Sequence, residues 1–411
     1  MAGSSGIIDK FLMKLSSEKM RDRLVEVLSY LPYSVSRALA DVHIRARQKR
    51  QRSCSMPSGL FFFITNICNQ RCQHCFYSAE MERPVTALTL PQIEKLCRSI
   101  DGRISSVILC GGEPTIRNDL PEIAECFVDV ARVPSLAITS NGFLQERLLQ
   151  TVDRVLASKA KFELRIAISL DGWEKTHDLI RRTPGAFSRA VSTLKALEER
   201  AAVDKRLRPV INSVIQKNNA AEFMDFYKHV RTTFTCDFVF TLVRQDGRDA
   251  GGLDRSLLLD AGSDEDLLPD EETCQKLLRD IQQYEFDNGL SRSLIVWRSL
   301  VREYHLRVVR EKKSVVKCIL PQTNATIFPA GGVSLCEVVK PFADLKDFDY
   351  DLFACWNSEA AVQQRKQLCG CWCTYPCGLT GSMMADPDVI AAALREVRLR
   401  NANFQTRMAK S

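Results

Sequence analysis

The sequence predicts an α/β protein built on a parallel sheet, and three observations predict it. Six apolar, β-rich runs follow one another between Leu60 and Val243. Five helical patterns separate them, and polar, glycine-bearing clusters stand at the carboxyl ends of successive runs. Parallel neighbours need a long crossover, and a helix between each pair supplies it; antiparallel strands would be joined by tight turns instead.

Composition fits that class. The 411 residues are 45% hydrophobic and 26% charged, which excludes a disordered or collagen-like chain. No uncharged apolar run reaches membrane-spanning length. The opening MAGSSGIIDKFLMKLSSEK lacks the compact apolar core and cleavage site of a secretory signal, so the cytoplasm is the expected compartment. The 57 Lys+Arg minus 50 Asp+Glu give +7; residues 7–52 hold 11 basic and 5 acidic side chains, or +6, leaving +1 for residues 53–411. A nucleic-acid binder would spread basic residues over a folded face, so nucleic acid is not expected as a partner. The 16 cysteines point elsewhere, because clustered thiols in a reducing compartment signal metal or cluster ligation.

The elements follow in order. Ile8, Phe11, Leu12 and Leu15 recur at helical spacing, as do Leu24, Leu28 and Leu31. Pro32 interrupts, and Ser34 can cap a helix carrying Val35, Leu39 and Val42 before the basic run Arg45–Arg52. Residues 1–57 thus form a basic amphipathic segment. Strands are expected at Leu60–Ile67, Val107–Cys110, Leu136–Thr139, Leu164–Leu170, Val210–Ile215 and Phe238–Val243. Helices are expected at Leu90–Ile100, Leu120–Val130, Leu144–Ala157, Phe187–Arg200 and Ala220–Thr232. These make a core over 58–245. An acidic, glycine-containing stretch at Asp246–Glu272 and further helices to Lys313 form a linker region, 246–313, and a cysteine-rich part occupies 314–411.

Directly after the first strand stands Cys68-Asn-Gln-Arg-Cys72-Gln-His74-Cys75. Three thiols on one loop can converge on one centre. On a [4Fe–4S] cubane they would leave one iron without a protein ligand, open to a small molecule. Zinc, with His74 as fourth ligand, is the other reading of the same residues.

This C-x3-C-x2-C pattern resembles the radical S-adenosylmethionine (radical SAM) superfamily, and the resemblance extends along residues 58–245. Gly111-Gly112-Glu113-Pro114 ends the second strand, Thr139-Ser140-Asn141-Gly142 the third and Ser169-Leu170-Asp171-Gly172 the fourth, followed by His177-Asp178 and Arg181. The resemblance implies a partial (β/α)6 barrel. It also implies a [4Fe–4S] cluster on Cys68, Cys72 and Cys75, bound with SAM. Gly111, Gly112 and Glu113 would then meet the methionine amino group, Ser140 and Asn141 the ribose, and His74 the adenine, while Ser169 and Arg181 help hold SAM. An electron donor such as flavodoxin or ferredoxin is implied as a partner.

The remaining thiols form a second group. Cys318-x12-Gly331-x4-Cys336 resembles the opening of the SPASM and twitch auxiliary-cluster domains, with a Gly-Gly turn bringing two distant thiols together. Cys369-Gly-Cys371-Trp-Cys373-Thr-Tyr-Pro-Cys377 keeps only the last x3 gap of the full SPASM spacing. One auxiliary [4Fe–4S] cluster is therefore expected, on Cys318, Cys336, Cys373 and Cys377, with Cys369 and Cys371 as alternates. A structural zinc would use the same thiols. Cys54, Cys97, Cys110, Cys126, Cys236 and Cys274 read as core residues, Cys355 as a packing residue, and Cys236 is in addition a candidate hydrogen-atom donor.

The implied activity is that of an oxidoreductase or maturase: SAM is cleaved to a 5′-deoxyadenosyl radical that takes a hydrogen atom from a substrate. Residues 1–57 read as all-helical, not as a mixed peptide-recognition domain, which favours a small biosynthetic intermediate over a peptide to be cross-linked or epimerised. From a different class, a zinc-stapled nucleic-acid module is the alternative. The N-terminal helices are expected to pack across the open side of the barrel, with peripheral attachment to an anionic membrane as the second reading.

Overall fold

In the computed structural model of the chain, residues 25–408 are described, apart from 26, 55, 82, 245–250, 260–265 and 290 and the side chains of 47–54, 292 and 400–408. The expectations for Ile8, Phe11, Leu12, Leu15 and Leu24, for Cys54 and for the side chains of Arg47–Arg52 lie outside the described residues.

A helix, α1 (Tyr33–Cys54), leads into the first strand, β1 (Gly59–Thr65). Strand and helix then alternate through α2 (Leu90–Ile100), β2 (Ser106–Gly111), α3 (Leu120–Glu125), β3 (Ser135–Ser140), α4 (Gln145–Ala157) and β4 (Glu163–Ser169). Two helices, α5 (Glu174–Arg181) and α6 (Ala186–Val203), precede β5 (Leu207–Ile215); α7 (Phe223–Thr233) and β6 (Asp237–Leu242) complete the alternation. Beyond it come α8 (Glu271–Asp287), α9 (Arg292–Glu311), the short strands β7 (Asn324–Ile327), β8 (Gly332–Ser334) and β9 (Ala343–Asp344), and finally α10 (Pro376–Met383) and α11 (Pro387–Met408).

All six expected strands and five expected helices are present within a few residues of their expected bounds. The pattern at Leu120–Val130 divides into α3 and a single π turn over Cys126–Val130. The helix α5 was not anticipated as an element, since its eight residues were read only as a motif.

One sheet runs β6-β5-β4-β3-β2-β1-β7-β8-β9. The strands β1 to β6 are parallel, and their sheet stays open, as a partial barrel does. The alternation of side chains sorts the strand residues between two faces. Leu136, Ile138, Leu164, Ile166 and Ile168 are buried beneath the helices. Ala137, Thr139, Ala167 and Ser169, on the other face, are part-exposed towards the concave interior. By contrast, β1 is buried throughout, because Phe61 and Phe63 pack inside with Tyr77, Leu320, Phe328 and Tyr375.

The expected Gly-Gly turn is found: Gly331, at φ 102°, and Gly332 join β7 to β8. Its setting was not expected. The strand β7 pairs in parallel with β1, with Leu60 opposite Ala325, so the C-terminal hairpin continues the barrel sheet. The acidic stretch is tied down too, by bridges from Gly251 to Trp372 and from Leu258 to Val339. A Cβ at Gly251 would stand 2.5 Å from the Trp372 ring, so only glycine fits there.

The α1 stripe is a correction. Val35, Leu39 and Val42 are exposed, while Ser36, Ala40 and Ile44 are buried. The helix lies against α11, where Asp388 accepts from Tyr33 Oη at 3.0 Å and Arg37 Nε at 2.6 Å, and small residues allow that close approach.

Candidate active site

The three N-terminal thiols sit on the loop leaving β1, at the carboxyl edge of the sheet, where ligands bind in such folds. Several polar side chains shape this loop. Asn66 Nδ2 donates to the carbonyls of Glu80 and Arg83 at 3.1 and 2.7 Å, closing the loop on itself. The Gln73 amide donates to Ile180 O at the end of α5, and Gln73 Oε1 accepts from Gln216 and Asn218 after β5.

Within that frame the three sulfurs lie in electrostatic reach of one another. Burial pushes the Cys68 thiol up to about 12 and the Cys75 thiol up to about 11. Cys68 Sγ accepts the Gln70 amide at 3.4 Å, and Cys72 Sγ accepts Arg181 Nη1 at 3.5 Å.

Gly111 and Gly112 make this loop possible. A Cβ on Gly111 would lie 2.2 Å from Thr65 O, and one on Gly112 2.1 Å from Ile67 O. The amides of Gly112 and Glu113 donate to those same two carbonyls at 2.8 and 2.9 Å. The glycines therefore dock the end of β2 against the cysteine loop. Glu113 is buried and its carboxylate already accepts four bonds, from the Thr115 amide and hydroxyl, Ser140 Oγ and the Asn141 amide. Asn141 Nδ2 reaches Asn69 Oδ1 in the loop at 2.7 Å. The GGEP and SNG motifs thus fix strand ends and loop as one unit.

Arg181 also has a structural partner. Its Nε and Nη2 donate to buried Asp171 at 2.8 and 2.7 Å, while Nη1 reaches Cys72. Burial would raise the Asp171 carboxyl, but Arg181, His74 and His177 hold it below the usual carboxylate range. His177 Nδ1 accepts the Asp171 amide at 3.0 Å, and burial lowers that imidazole to about 4. His74 is likewise neutral, lowered to about 4 by burial. Ser169 ends β4 opposite Asn212 on the inner face.

These residues fit the implied group. Beyond the thiols, Gln70 Nε2 and His74 Nδ1 are buried without a hydrogen-bond partner among the described residues, so the loop holds spare polar atoms as well as soft donors. No three Cys, His, Asp or Glu side chains among the described residues converge on a single metal ion. Asn69, Gln70 and Gln216 escaped sequence reasoning; for the first two, amide side chains inside the cysteine loop were the available signal.

In the second thiol group the structure brings together three of the expected residues and one alternate, Cys371. Cys318, Cys336, Cys371 and Cys373 lie in mutual reach: the Cys371 thiol donates to Cys318, lowering Cys318 and raising Cys371, and the charge of Cys336 interacts with Cys373 and Cys318. Cys377 stands apart. Its neighbours are Glu337, Tyr375, Arg244 and Cys110, and desolvation and Glu337 raise its thiol. Cys377 is the second residue of α10, and none of the other four thiols is among its electrostatic partners. Cys369 is exposed. Arg244 pairs with Glu337 and stacks between Phe76 and Tyr375, its guanidinium 4.2 and 4.4 Å from their ring centres. Cys75, Cys318, Cys336 and Cys373 all pack against the same aromatic cluster beside β1.

Cys236 does not reach the site. It precedes β6, at the opposite edge of the sheet, where its amide donates to Glu198 at 2.9 Å and its side chain packs against the outer core. Cys97, Cys126, Cys274 and Cys355 are buried, as expected. Cys110 is part-exposed on the inner face, not within the helix-covered core.

Residues 62–229 match the family model described as the radical SAM superfamily. GTP 3′,8-cyclase of Synechococcus elongatus is 30% identical over 172 residues, 41% of this chain and 50% of that protein. Fe-coproporphyrin III synthase of Methanosarcina barkeri is 34% identical over 142 residues, 33% of each. The chain therefore spans half the length, or less, of these curated relatives. Among solved structures, Streptococcus suis SuiB bound to S-adenosylmethionine superimposes with a TM-score of 0.55 at 16% identity, over 76% of this chain and 68% of that one. The enzyme anSMEcpe with bound AdoMet gives 0.53 at 17% identity, over 75% and 83%. At such identities the likeness is one of fold.

Proposed function

From a chain that carries a radical SAM domain over residues 62–229, we propose an enzyme that cleaves S-adenosylmethionine reductively and takes a hydrogen atom from a small biosynthetic intermediate. The observation that carries this reading is the loop of Cys68, Cys72 and Cys75, held by Asn66, Gln73 and Arg181 at the carboxyl edge of the sheet. Those thiols would hold a [4Fe–4S] cluster. Bound there with SAM, a reduced cluster supplies the electron that yields methionine and a 5′-deoxyadenosyl radical.

The chain's own residues position and shield. Arg181 holds Cys72 in place and neutralises Asp171. Glu113, Ser140 and Asn141 lock the ends of β2 and β3 to the loop, leaving His74 Nδ1 and Gln70 Nε2 as polar contacts for a nucleoside. Ala137, Thr139, Ala167 and Ser169 are small and leave the interior space that a substrate needs. The names of the sequence relatives, GTP 3′,8-cyclase, Fe-coproporphyrin III synthase and pre-heme d1 synthase, support a small molecule as substrate. Cys318, Cys336, Cys371 and Cys373 would hold an auxiliary [4Fe–4S] cluster with every iron ligated by protein, which suits an electron acceptor in a net oxidation. A flavodoxin or ferredoxin would deliver the initiating electron.

Anaerobically reconstituted protein, given SAM and a low-potential reductant, should release 5′-deoxyadenosine, and Cys72→Ala should release none. Undiminished release from Cys72→Ala would refute the assignment of the first thiol set.

A further inference from the structure

Among the described residues, exposed large hydrophobic side chains are densest in one stretch of the chain. Six of the fourteen large hydrophobic side chains that are exposed among the described residues fall between Val27 and Val42. In α1, Val35, Leu39 and Val42 recur at helical spacing and lie within about 60° of one another around the axis, at 100° per residue. Leu39 is 49% and Val42 64% exposed. The face that α1 does bury, Ser36, Ala40 and Ile44, is turned to α11.

The same helix is the most basic part of the chain. Its 22 residues carry six arginines and lysines against the single acidic residue Asp41, which pairs with Arg45 at 2.8 Å. Beside it, Arg395 and Arg398 of α11 line a groove of about 230 Å³ with Tyr33 and Ser36. No described helix is long and apolar enough to cross a membrane. An apolar stripe on a helix whose sequence is rich in basic residues, fixed by its opposite face, suits a lipid interface and not a span across it.

We propose that α1 docks this protein onto an anionic membrane surface. Val35, Leu39 and Val42 enter the acyl boundary, and the basic run Arg45–Arg52 meets the headgroups. Charge complementarity selects this occupant: a second copy of the chain would bring the same positive helix against itself. Residues 1–24, at +2, would likewise add positive charge. The hydrogen bond of Tyr33 and the ion pair of Arg37 with Asp388 on α11 make the docking helix part of the folded body, so attachment would hold the whole enzyme at the bilayer. This goes beyond the proposed chemistry and stands or falls separately from it.

The test is co-sedimentation of the full chain with phosphatidylcholine vesicles, with and without phosphatidylglycerol. Wild type should pellet with the anionic vesicles, less so as salt rises, and stay in solution with the neutral ones. The triple substitution Val35→Ser, Leu39→Ser, Val42→Ser should weaken partitioning at least tenfold while leaving the melting temperature unchanged. Each basic residue replaced by Gln in Arg45–Arg52 should cost about fivefold. Three outcomes would overturn the proposal: no binding of wild type to anionic vesicles at low salt, a lower melting temperature of the triple variant with unchanged binding, which assigns the face to residues 1–24, and loss of a dimer without loss of vesicle binding, which assigns it to a second copy.

Discussion

Cys371 and Cys377 lie in one short stretch of sequence but meet different neighbours, the first Cys318, Cys373 and Cys336, the second Glu337, Tyr375 and Arg244. In protein carrying both clusters, Cys371→Ala should lose about four irons per chain and Cys377→Ala none; iron analysis after anaerobic gel filtration distinguishes them, and equal loss from both would return Cys377 to the ligand set. Spacing alone could not separate these thiols, because the start of α10 falls between them and rotates Cys377 away. Histidine titration gives a second prediction at this scale. Burial holds both His177 and His305 at about 4, against 6.5 for an ordinary imidazole. Unfolded chains then bind protons that folded chains do not, so stability present above about pH 6.5 is lost progressively as pH falls towards 4. The melting temperature should drop across that window, and His305→Gln should flatten the drop; an unchanged profile would mean that His305 is protonated in the fold.

At the scale of elements, the helices α7, α8 and α9 are joined by one buried charge. Glu285 Oε1 accepts from Tyr227 Oη at 2.8 Å and from Arg298 at 3.0 Å, with Arg302 3.9 Å away and stacked 4.1 Å from the Phe240 ring. Burial lowers the Arg302 guanidinium to about 10, and Glu285 opposes that shift. Removing the carboxylate leaves two arginines facing each other in a low-dielectric space, so Glu285→Ala should destabilise the fold by about 3–5 kcal/mol. A urea midpoint within error of wild type would count against it. The elements themselves were legible in the sequence, since apolar runs and helical spacing reflect burial against one shared core. The helix α5 was the exception: six of its eight residues are charged or polar, and two of these, His177 and Arg181, point into a buried polar network, which masks the apolar period.

Across the whole molecule the barrel and the C-terminal cysteine region share one sheet. Because β7 covers the edge of β1, whose sequence GLFFFIT is apolar throughout its middle, a chain ended at Lys313 should expose that edge and self-associate. Size-exclusion chromatography checks this, and a monomer with a cooperative melt would show that the core stands without the hairpin. The sequence by itself determined the parallel α/β class, the order of strands and helices, and the loop of Cys68, Cys72 and Cys75, because these depend on local periodicity and on residues close together in the chain. Tertiary structure alone decided which four C-terminal thiols meet, that β7 joins β1, that Glu113 and Arg181 serve as struts of the cysteine loop, and that α1 turns Ser36 and Ala40 inward and Val35, Leu39 and Val42 outward. Each of those is a choice of partner between segments distant in sequence. Such choices follow from shape, close backbone approach and the pairing of buried charge, and a periodicity carries no record of them.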